Sequence, residues 1–153
     1  MKLFRVTRVS APIDEVWSFF SDPANLARIT PDSMGFEIVS SPDRPIREGD
    51  RIVYQLSVAR VPVRWVSRIG EVHEKEMFVD VQEEGPYALW HHRHLFRETV
   101  DGVEMIDDVD YELPFGFIGR LGGSVFVRLQ LRMIFDYREK VIREVFGAGD
   151  VSG

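Results

Sequence analysis

The amino-acid sequence predicts an α+β fold in which one antiparallel sheet packs against a long C-terminal helix. Three observations predict it: a strand followed by two short helical segments, a middle region of consecutive strands and turns, and a continuous helical pattern near the end. Strands that follow one another through short turns pair as an antiparallel sheet. The long helix must bury its apolar side against that sheet, and a curved sheet around one helix leaves a pocket between them.

The chain begins with an alternating strand over residues 2–9 and then two short helices. Ser10 is a candidate N-cap for the first helix, whose apolar residues recur at helical spacing over residues 13–20. Asp22-Pro23 then begins a second helix, which we expect to end before Pro31. These signals place both helices between the first strand and the rest of the sheet.

Six further strands are predicted, separated by turn residues: Phe36–Ser40, Arg51–Val58, Val63–Val72, Met77–Glu83, Ala88–Val100 and Val103–Leu113. A glycine-rich segment, Pro114–Gly123, precedes a helix that runs to about Phe146. The apolar side of that helix is predicted to hold Val125, Phe126, Leu129, Met133, Ile134, Tyr137, Val141 and Val145. We expect a single domain over residues 1–147 and a frayed tail over residues 148–153.

Composition excludes several classes of function. The formal net charge of -6 argues against a nucleic-acid-binding protein, which normally carries a basic stripe. The chain has no cysteine, and therefore no disulfide, thiolate metal site or cysteine nucleophile. No apolar run is long enough for a membrane span, and the first residues lack the apolar core of a signal peptide. We expect a cytoplasmic protein without stable membrane insertion.

The most unusual feature is a strand that carries three of the four histidines, within His91-His92-Arg93-His94. Asp101-Gly102 predicts a type I′ hairpin turn that pairs Val100 with Val103. Counting outward places Arg93 opposite Asp110 and His91 opposite Glu112 on the outer face. The inner face then holds nine residues: Trp90, His92, His94, Phe96, Met105, Asp107, Val109, Tyr111 and Leu113.

Four of those inner residues are polar, and they form one predicted cluster: His92, His94, Asp107 and Tyr111. Four interpretations stay open: a hydrogen-bonded structural network, recognition of a ligand's polar group, acid–base catalysis, or a metal site. The metal site is the least favoured, because an isolated His-x-His pair is a weak ligand motif. We therefore expect neither a metal ion nor a cofactor.

Four segments together resemble a known family: Val9–Leu26, Gly85–Phe96, Asp107–Gly116 and Phe135–Arg138. They resemble the START/SRPBCC superfamily, and within it the bacterial ligand-binding proteins of polyketide cyclase/dehydrase type. The resemblance implies a helix-grip fold, in which a curved seven-stranded antiparallel sheet surrounds a long C-terminal helix and encloses a hydrophobic cavity. It implies no universal catalytic residue.

We therefore expect a protein that binds a small hydrophobic ligand, aromatic or acyl, in an internal cavity. The polar cluster would orient a carbonyl or hydroxyl of the ligand, and His94→Ala would weaken binding without unfolding the protein. The apolar wall would consist of Trp90, Phe96, Met105, Val109 and Leu113 from the sheet, with Met133 and Tyr137 from the helix.

Two alternatives accompany this expectation. The first is an aromatase/cyclase or dehydratase, in which His94, held by Asp107, removes a proton and Tyr111 stabilises the enolate. The second is a protein-interaction module that resembles the chaperone co-activators of the superfamily. The oligomeric state, monomer or homodimer, is left open by the sequence.

Overall fold

Seven strands of the described residues form one antiparallel sheet in the order β1-β7-β6-β5-β4-β3-β2. The computed structural model describes residues 1–58, 60–118 and 123–147. The strands are β1 Lys2–Val9, β2 Glu37–Ser40, β3 Arg51–Val58, β4 Val61–His73, β5 Met77–Glu84, β6 Leu89–Thr99 and β7 Gly102–Glu112. Strands β2 to β7 each pair with the next strand in the chain, and the last strand, β7, also pairs with the first, β1. The predicted α+β fold class is confirmed.

The predicted helices are present as α1 Ile13–Phe20, the 3-10 segment Pro23–Ile29 and α3 Gly123–Phe146. The structure adds two short segments that the sequence did not predict, the 3-10 segment Asp32–Met34 and α2 Phe115–Ile118, which lies in the glycine-rich segment. The predicted cap of α1 is wrong, because the N-cap residue is Pro12 and no side chain caps the helix. Ser10 instead donates its backbone N–H to the carbonyl of Gly147, 3.2 Å away. Residues 119–122 of the glycine-rich segment and the expected frayed tail lie outside the described residues. None of the described helices is both long and apolar enough to cross a membrane.

The buried stripe of α3 differs from the predicted apolar side. It consists of Val127, Leu131, Phe135, Arg138 and Ile142, spaced four, four, three and four residues apart. Met133, predicted to face the cavity, is 47% exposed, so that prediction is wrong. Met133 follows Leu131 by two residues, which turns its side chain about 200° around the helix. Val125, Phe126, Leu129 and Val145 are exposed as well.

The hairpin between β6 and β7 keeps its predicted faces but not its predicted register. Thr99 pairs with Gly102, so the turn residues are Val100 and Asp101, and neither has the positive φ of a type I′ turn. Gly102 is needed for another reason, because a Cβ there would overlap the carbonyl oxygen of Val9 in β1. The pairing shifts by two residues, which leaves every side chain on its predicted face.

The outer-face pairs change with that shift. Arg93 lies opposite Asp108 and forms an ion pair with it, and His91 lies opposite Asp110. The predicted pairs of Arg93 with Asp110 and of His91 with Glu112 are therefore wrong. Lys2 Nζ also lies 3.4 Å from the Asp108 carboxylate, which is buried.

Candidate functional site

A cavity of about 190 Å³ lies between the sheet and α3, as its lining residues show. The wall is mainly apolar and aromatic, with contributions from β3 to β6, from α3 and from the first 3-10 segment. Tyr54 stacks on Trp65 with ring centroids 5.8 Å apart, and Trp65 meets Trp90 edge-on at 5.4 Å. Tyr87 packs against both tryptophans. These rings give the cavity flat, rigid walls.

A cluster of charged and polar side chains forms another part of the wall. Asp80 of β5 lies directly opposite His92, and Asp107 of β7 lies directly opposite His94. The hydrogen bonds run along the diagonals instead: His94 Nε2 donates to Asp80 at 2.7 Å, and His92 Nε2 donates to Asp107 at 2.8 Å. Three adjacent strands therefore place two carboxylates around two imidazoles, and each imidazole bonds to the carboxylate that is diagonal to it in the strand pairing.

The two imidazoles are stacked, with ring centroids 3.6 Å apart. Phe78 covers the other face of His94 at 4.1 Å. Ser67 Oγ donates to Asp80 at 3.2 Å and so occupies the second oxygen of that carboxylate. The histidine rings are thus fixed by packing as well as by hydrogen bonds.

Arg138 brings α3 into the same cluster. Its Nη2 donates to Asp107 Oδ1 at 3.1 Å and to His94 Nδ1 at 3.4 Å. Because His94 Nδ1 accepts from Arg138, the proton of a neutral His94 is on Nε2, where it bonds to Asp80. The guanidinium carbon also lies over the rings of Phe20 and Phe135, at 5.4 and 5.7 Å.

Burial controls the charge of these groups. Burial, together with the neighbouring His92, lowers the pKa of His94 to about 4, so His94 is neutral near pH 7. Burial alone would raise the pKa of Asp107, but the charge of Arg138 and the hydrogen bond from His92 hold it well below its ordinary value. Burial likewise opposes ionisation of Asp80, but the hydrogen bonds from His94 and Ser67 and the neighbouring His92 together outweigh it, so the pKa of Asp80 is lowered. Both carboxylates are ionised at neutral pH.

Asp80, His92 and His94 each offer one metal-ligand atom, and these atoms lie within 4.8 Å of one another. The stacking of the two rings works against a shared ion, since the lone pairs of stacked imidazoles run side by side instead of converging. Both Nε2 atoms also donate to carboxylates. The donor set fits a hydrogen-bonded network better than a metal centre.

The structure places the predicted site residues in three groups. Trp90, His92, His94 and Leu113 line the cavity. Five others are buried but do not line it: Phe96, Met105, Asp107, Val109 and Tyr111. Tyr137 is half-buried, and it too is absent from the lining, as is the exposed Met133.

Of the predicted polar cluster, the two histidines and Asp107 come together, whereas Tyr111 lies opposite Trp90 and packs on Tyr87. The role of these residues in binding or catalysis stays a prediction.

Sequence reasoning missed Asp80 and Arg138. Asp80 shares the inward side of β5 with Phe78, as alternation along the strand indicates. The residues opposite Asp80 on β6 could not be predicted, because the connection from β5 to β6 is longer than a tight turn and does not fix the register of the two strands. Arg138 continues the helical spacing of Leu131 and Phe135, but a charged residue on a buried stripe is unexpected without its partner.

Solved structures share this fold at low sequence identity. Protein CV1439 from Chromobacterium violaceum superposes with a TM-score of 0.73 at 12% identity, over 95% of this chain and 97% of that one. TTHA0849 from Thermus thermophilus gives 0.68 at 15% identity, over 95% and 97%. A START superfamily protein from Mycobacterium smegmatis gives 0.68 at 12% identity, over 94% and 98%. These likenesses show the fold alone, and no curated protein matches the chain.

Family membership comes from the sequence itself. The model of the family described as "Polyketide cyclase / dehydrase and lipid transport" matches residues 9–136, which include α1, β2 to β7 and the cavity-lining part of α3 before Arg138. The predicted resemblance to proteins of polyketide cyclase/dehydrase type is thereby confirmed, and the chain belongs to the polyketide cyclase/dehydrase and lipid transport family.

Proposed function

We propose that this protein binds a small, largely apolar ligand, aromatic or acyl, in the cavity between the sheet and α3. The observation that carries the proposal is the cavity of about 190 Å³, whose wall is mainly apolar and aromatic and holds one cluster of charged and polar side chains. An apolar cavity of roughly 150 Å³ is enough to hold benzene, so this larger one has room for an aromatic ligand. A few convergent polar groups in an apolar pocket are typical of ligand sites.

The proposed orientation puts the apolar body of the ligand among the aromatic residues and its polar group at the cluster. Trp65, Tyr87 and Trp90 offer ring faces and edges to a planar ligand. His92 and His94 lie in the same wall and would meet the polar group. Family membership supports this proposal, since the family description includes lipid transport.

The test is a fluorescence titration with N-phenyl-1-naphthylamine, an uncharged apolar dye. The wild-type protein should bind it at one site, and Ile134→Trp should weaken binding at least about tenfold, because Ile134 lines the cavity and the larger side chain fills it. Leu129→Trp makes the same kind of change on the exposed side of α3 and should alter binding less than about twofold. Equal affinities of both variants and the wild type would contradict binding in this cavity.

Acid–base catalysis is the second candidate function. The observation in its favour is a neutral imidazole, His94, that lines the cavity and donates a 2.7 Å hydrogen bond to a carboxylate. That carboxylate belongs to Asp80, so the positioning role predicted for Asp107 moves to Asp80 in this proposal. The low pKa of His94 makes it a weak base, which favours binding over catalysis.

Catalysis has its own readout. If His94 removes a proton next to a carbonyl, the methyl protons of 2-acetylnaphthalene should exchange with D₂O faster in the presence of protein, as measured by proton NMR. His94→Asn should abolish the acceleration while dye binding persists. Exchange at the uncatalysed rate would leave ligand binding as the function.

A further inference from the structure

The buried guanidinium of Arg138 has hydrogen-bond donors that nothing in the described protein uses. Arg138 is 8% exposed and carries five N–H donors. Both hydrogen bonds of the side chain leave from Nη2, toward Asp107 and His94. Among the described residues, Nε is fully shielded and has no partner, and no hydrogen bond leaves from Nη1 either.

This side chain is held in place rather than left loose. The carboxylate of Asp107 anchors one nitrogen, and the rings of Phe20 and Phe135 cover the guanidinium at cation–π distances. A buried donor without an acceptor is rare in folded proteins and marks a place where another molecule completes the bonding. Because Nε has no accessible surface, Nη1 is the unused donor that a separate acceptor can reach.

Arg138 lies where such an acceptor can arrive. It lines the 190 Å³ cavity and also a smaller neighbouring cavity of about 60 Å³. Asp80 and His94 line both cavities as well. These polar residues thus border both spaces, and a ligand in the larger one has access to Arg138.

The charge of the cluster restricts the acceptor. Asp80 and Asp107 supply two negative charges, Arg138 supplies one positive charge, His94 is neutral at pH 7, and His92 directs its Nε2–H at Asp107 and away from a ligand. The positive charge is already paired with Asp107. A ligand carboxylate would add a third anion to a buried site, which is strongly unfavourable, whereas an uncharged oxygen can accept from the guanidinium without that penalty.

From this geometry we infer that Arg138 recognises the ligand and that the group it recognises is an uncharged carbonyl oxygen, as in a ketone, aldehyde or ester. The inference rests on the proposed function, since it names the polar group of the same ligand. Arg138 is then the specificity-determining residue, and the histidines and Asp107 position it.

The experiment compares three probes built on the same naphthalene ring in competition with N-phenyl-1-naphthylamine: 2-acetylnaphthalene, 2-ethylnaphthalene and 2-naphthoate. In the wild-type protein the ketone should bind about tenfold more tightly than the ethyl compound, as expected for one hydrogen bond from a charged donor. The carboxylate should bind no better than the ethyl compound. A ketone preference below twofold, or tightest binding of 2-naphthoate, would overturn the inference.

Arg138→Lys then assigns the preference to this side chain. Lysine keeps a positive charge beside Asp107 but removes the planar guanidinium and its Nε and Nη1 donors. Ketone and ethyl compound should bind this variant within twofold of each other, whereas the exposed Arg132→Lys should retain the tenfold preference. A preference that survives in Arg138→Lys would overturn the assignment.

The two proposals fail in different ways. If the dye and the ethyl compound bind but the ketone has no advantage, the carbonyl inference falls and the binding function stands. If none of the four compounds binds the wild-type protein, the proposed function falls and the inference falls with it. If Arg138→Lys does not fold, as judged by circular dichroism, the wild-type series alone decides.

Discussion

The interior of this protein has two apolar halves that are packed differently. The first, the filled half, surrounds α1 and leaves only the smaller cavity of about 60 Å³ among side chains such as Val16, Trp17, Phe20, Phe96 and Ile142. The second, the hollow half, surrounds the larger cavity of about 190 Å³ and consists of residues such as Trp65, Trp90, Tyr111, Leu131 and Phe135. Hydrophobic composition therefore does not decide where a cavity forms. The difference lies in which side chains meet across the sheet and α3.

A polar layer separates the two halves. Along β6, Phe96 belongs to the filled half and Trp90 to the hollow half, with His92 and His94 between them. The same order recurs along β4, β7 and α3, where the residue between the halves is Ser67, Asp107 and Arg138, respectively. Asp80 of β5 joins this layer through its hydrogen bonds with His94 and Ser67. A change in this layer should therefore affect both halves.

The largest expected effect follows from removing the charge of Arg138. Arg138→Met leaves Asp107 buried without its cation and should lower the free energy of unfolding by about 3–5 kcal/mol in chemical denaturation. The exposed Arg132→Met should change it by less than about 0.5 kcal/mol. Adding Asp107→Asn to Arg138→Met should restore part of the loss. Strictly additive effects would show that the two residues are not coupled.

The two halves should respond differently to the same kind of truncation. Ile142→Ala opens a space in the filled half and should reduce the free energy of unfolding by about 4 kcal/mol. Leu131→Ala removes a side chain that already borders a cavity, so fewer contacts are lost, and we expect about 2 kcal/mol. Both residues are buried on α3, and denaturant titration compares them directly. Equal losses would mean that the hollow half is as tightly packed as the filled one.

Acid should weaken the polar layer before it affects either half. The folded protein holds the pKa of His94 at about 4, against 6.5 for an ordinary histidine, so between these pH values the unfolded chain binds a proton that the folded protein does not. The free energy of unfolding should therefore fall as the pH is lowered from 6.5 to 4, by about 3 kcal/mol at most. Below pH 4, protonation of Asp80 and Asp107 adds to the loss, because their pKa values are lowered in the folded state. Denaturation series at several pH values should give a flatter profile for His94→Asn.

Most of the fold was predictable because it depends on patterns within short segments. Alternation gave the strands β1 and β3 with the observed bounds, and the faces of β6 and β7 came out correctly although the turn between them did not. A slip of two residues preserves the faces of a strand, so the burial of His92, His94 and Asp107 was insensitive to the error.

The exact partners of the site were not predictable in the same way. Which carboxylate bonds to which imidazole depends on the β5–β6 register, and no tight turn fixes that register in the sequence. Arg138 reaches the site because of the face that α3 turns toward the sheet. The sequence pattern does not identify that face clearly, because two apolar residues of the helix, Leu129 and Met133, are exposed. The arrangement of the site depends on contacts between charged residues that are far apart in the sequence, and hydrophobic periodicity carries no information about such contacts.

The smallest expected effect concerns the part of the cavity wall that the sheet does not hold. Leu26 and Ile29, on the 3-10 segment Pro23–Ile29, line both cavities, and Asp22 caps that segment by accepting from the N–H of Ala24 at 3.0 Å. Asp22→Ala should lower the free energy of unfolding by about 1 kcal/mol and speed hydrogen exchange at Ala24. Asp32→Ala, at the start of the next segment, removes no cap and serves as the control. If Asp22→Ala also weakens dye binding while Asp32→Ala does not, the hollow half depends on this short segment as well as on the sheet. Unchanged dye binding in both variants would instead mean that the sheet and α3 alone hold the cavity in shape.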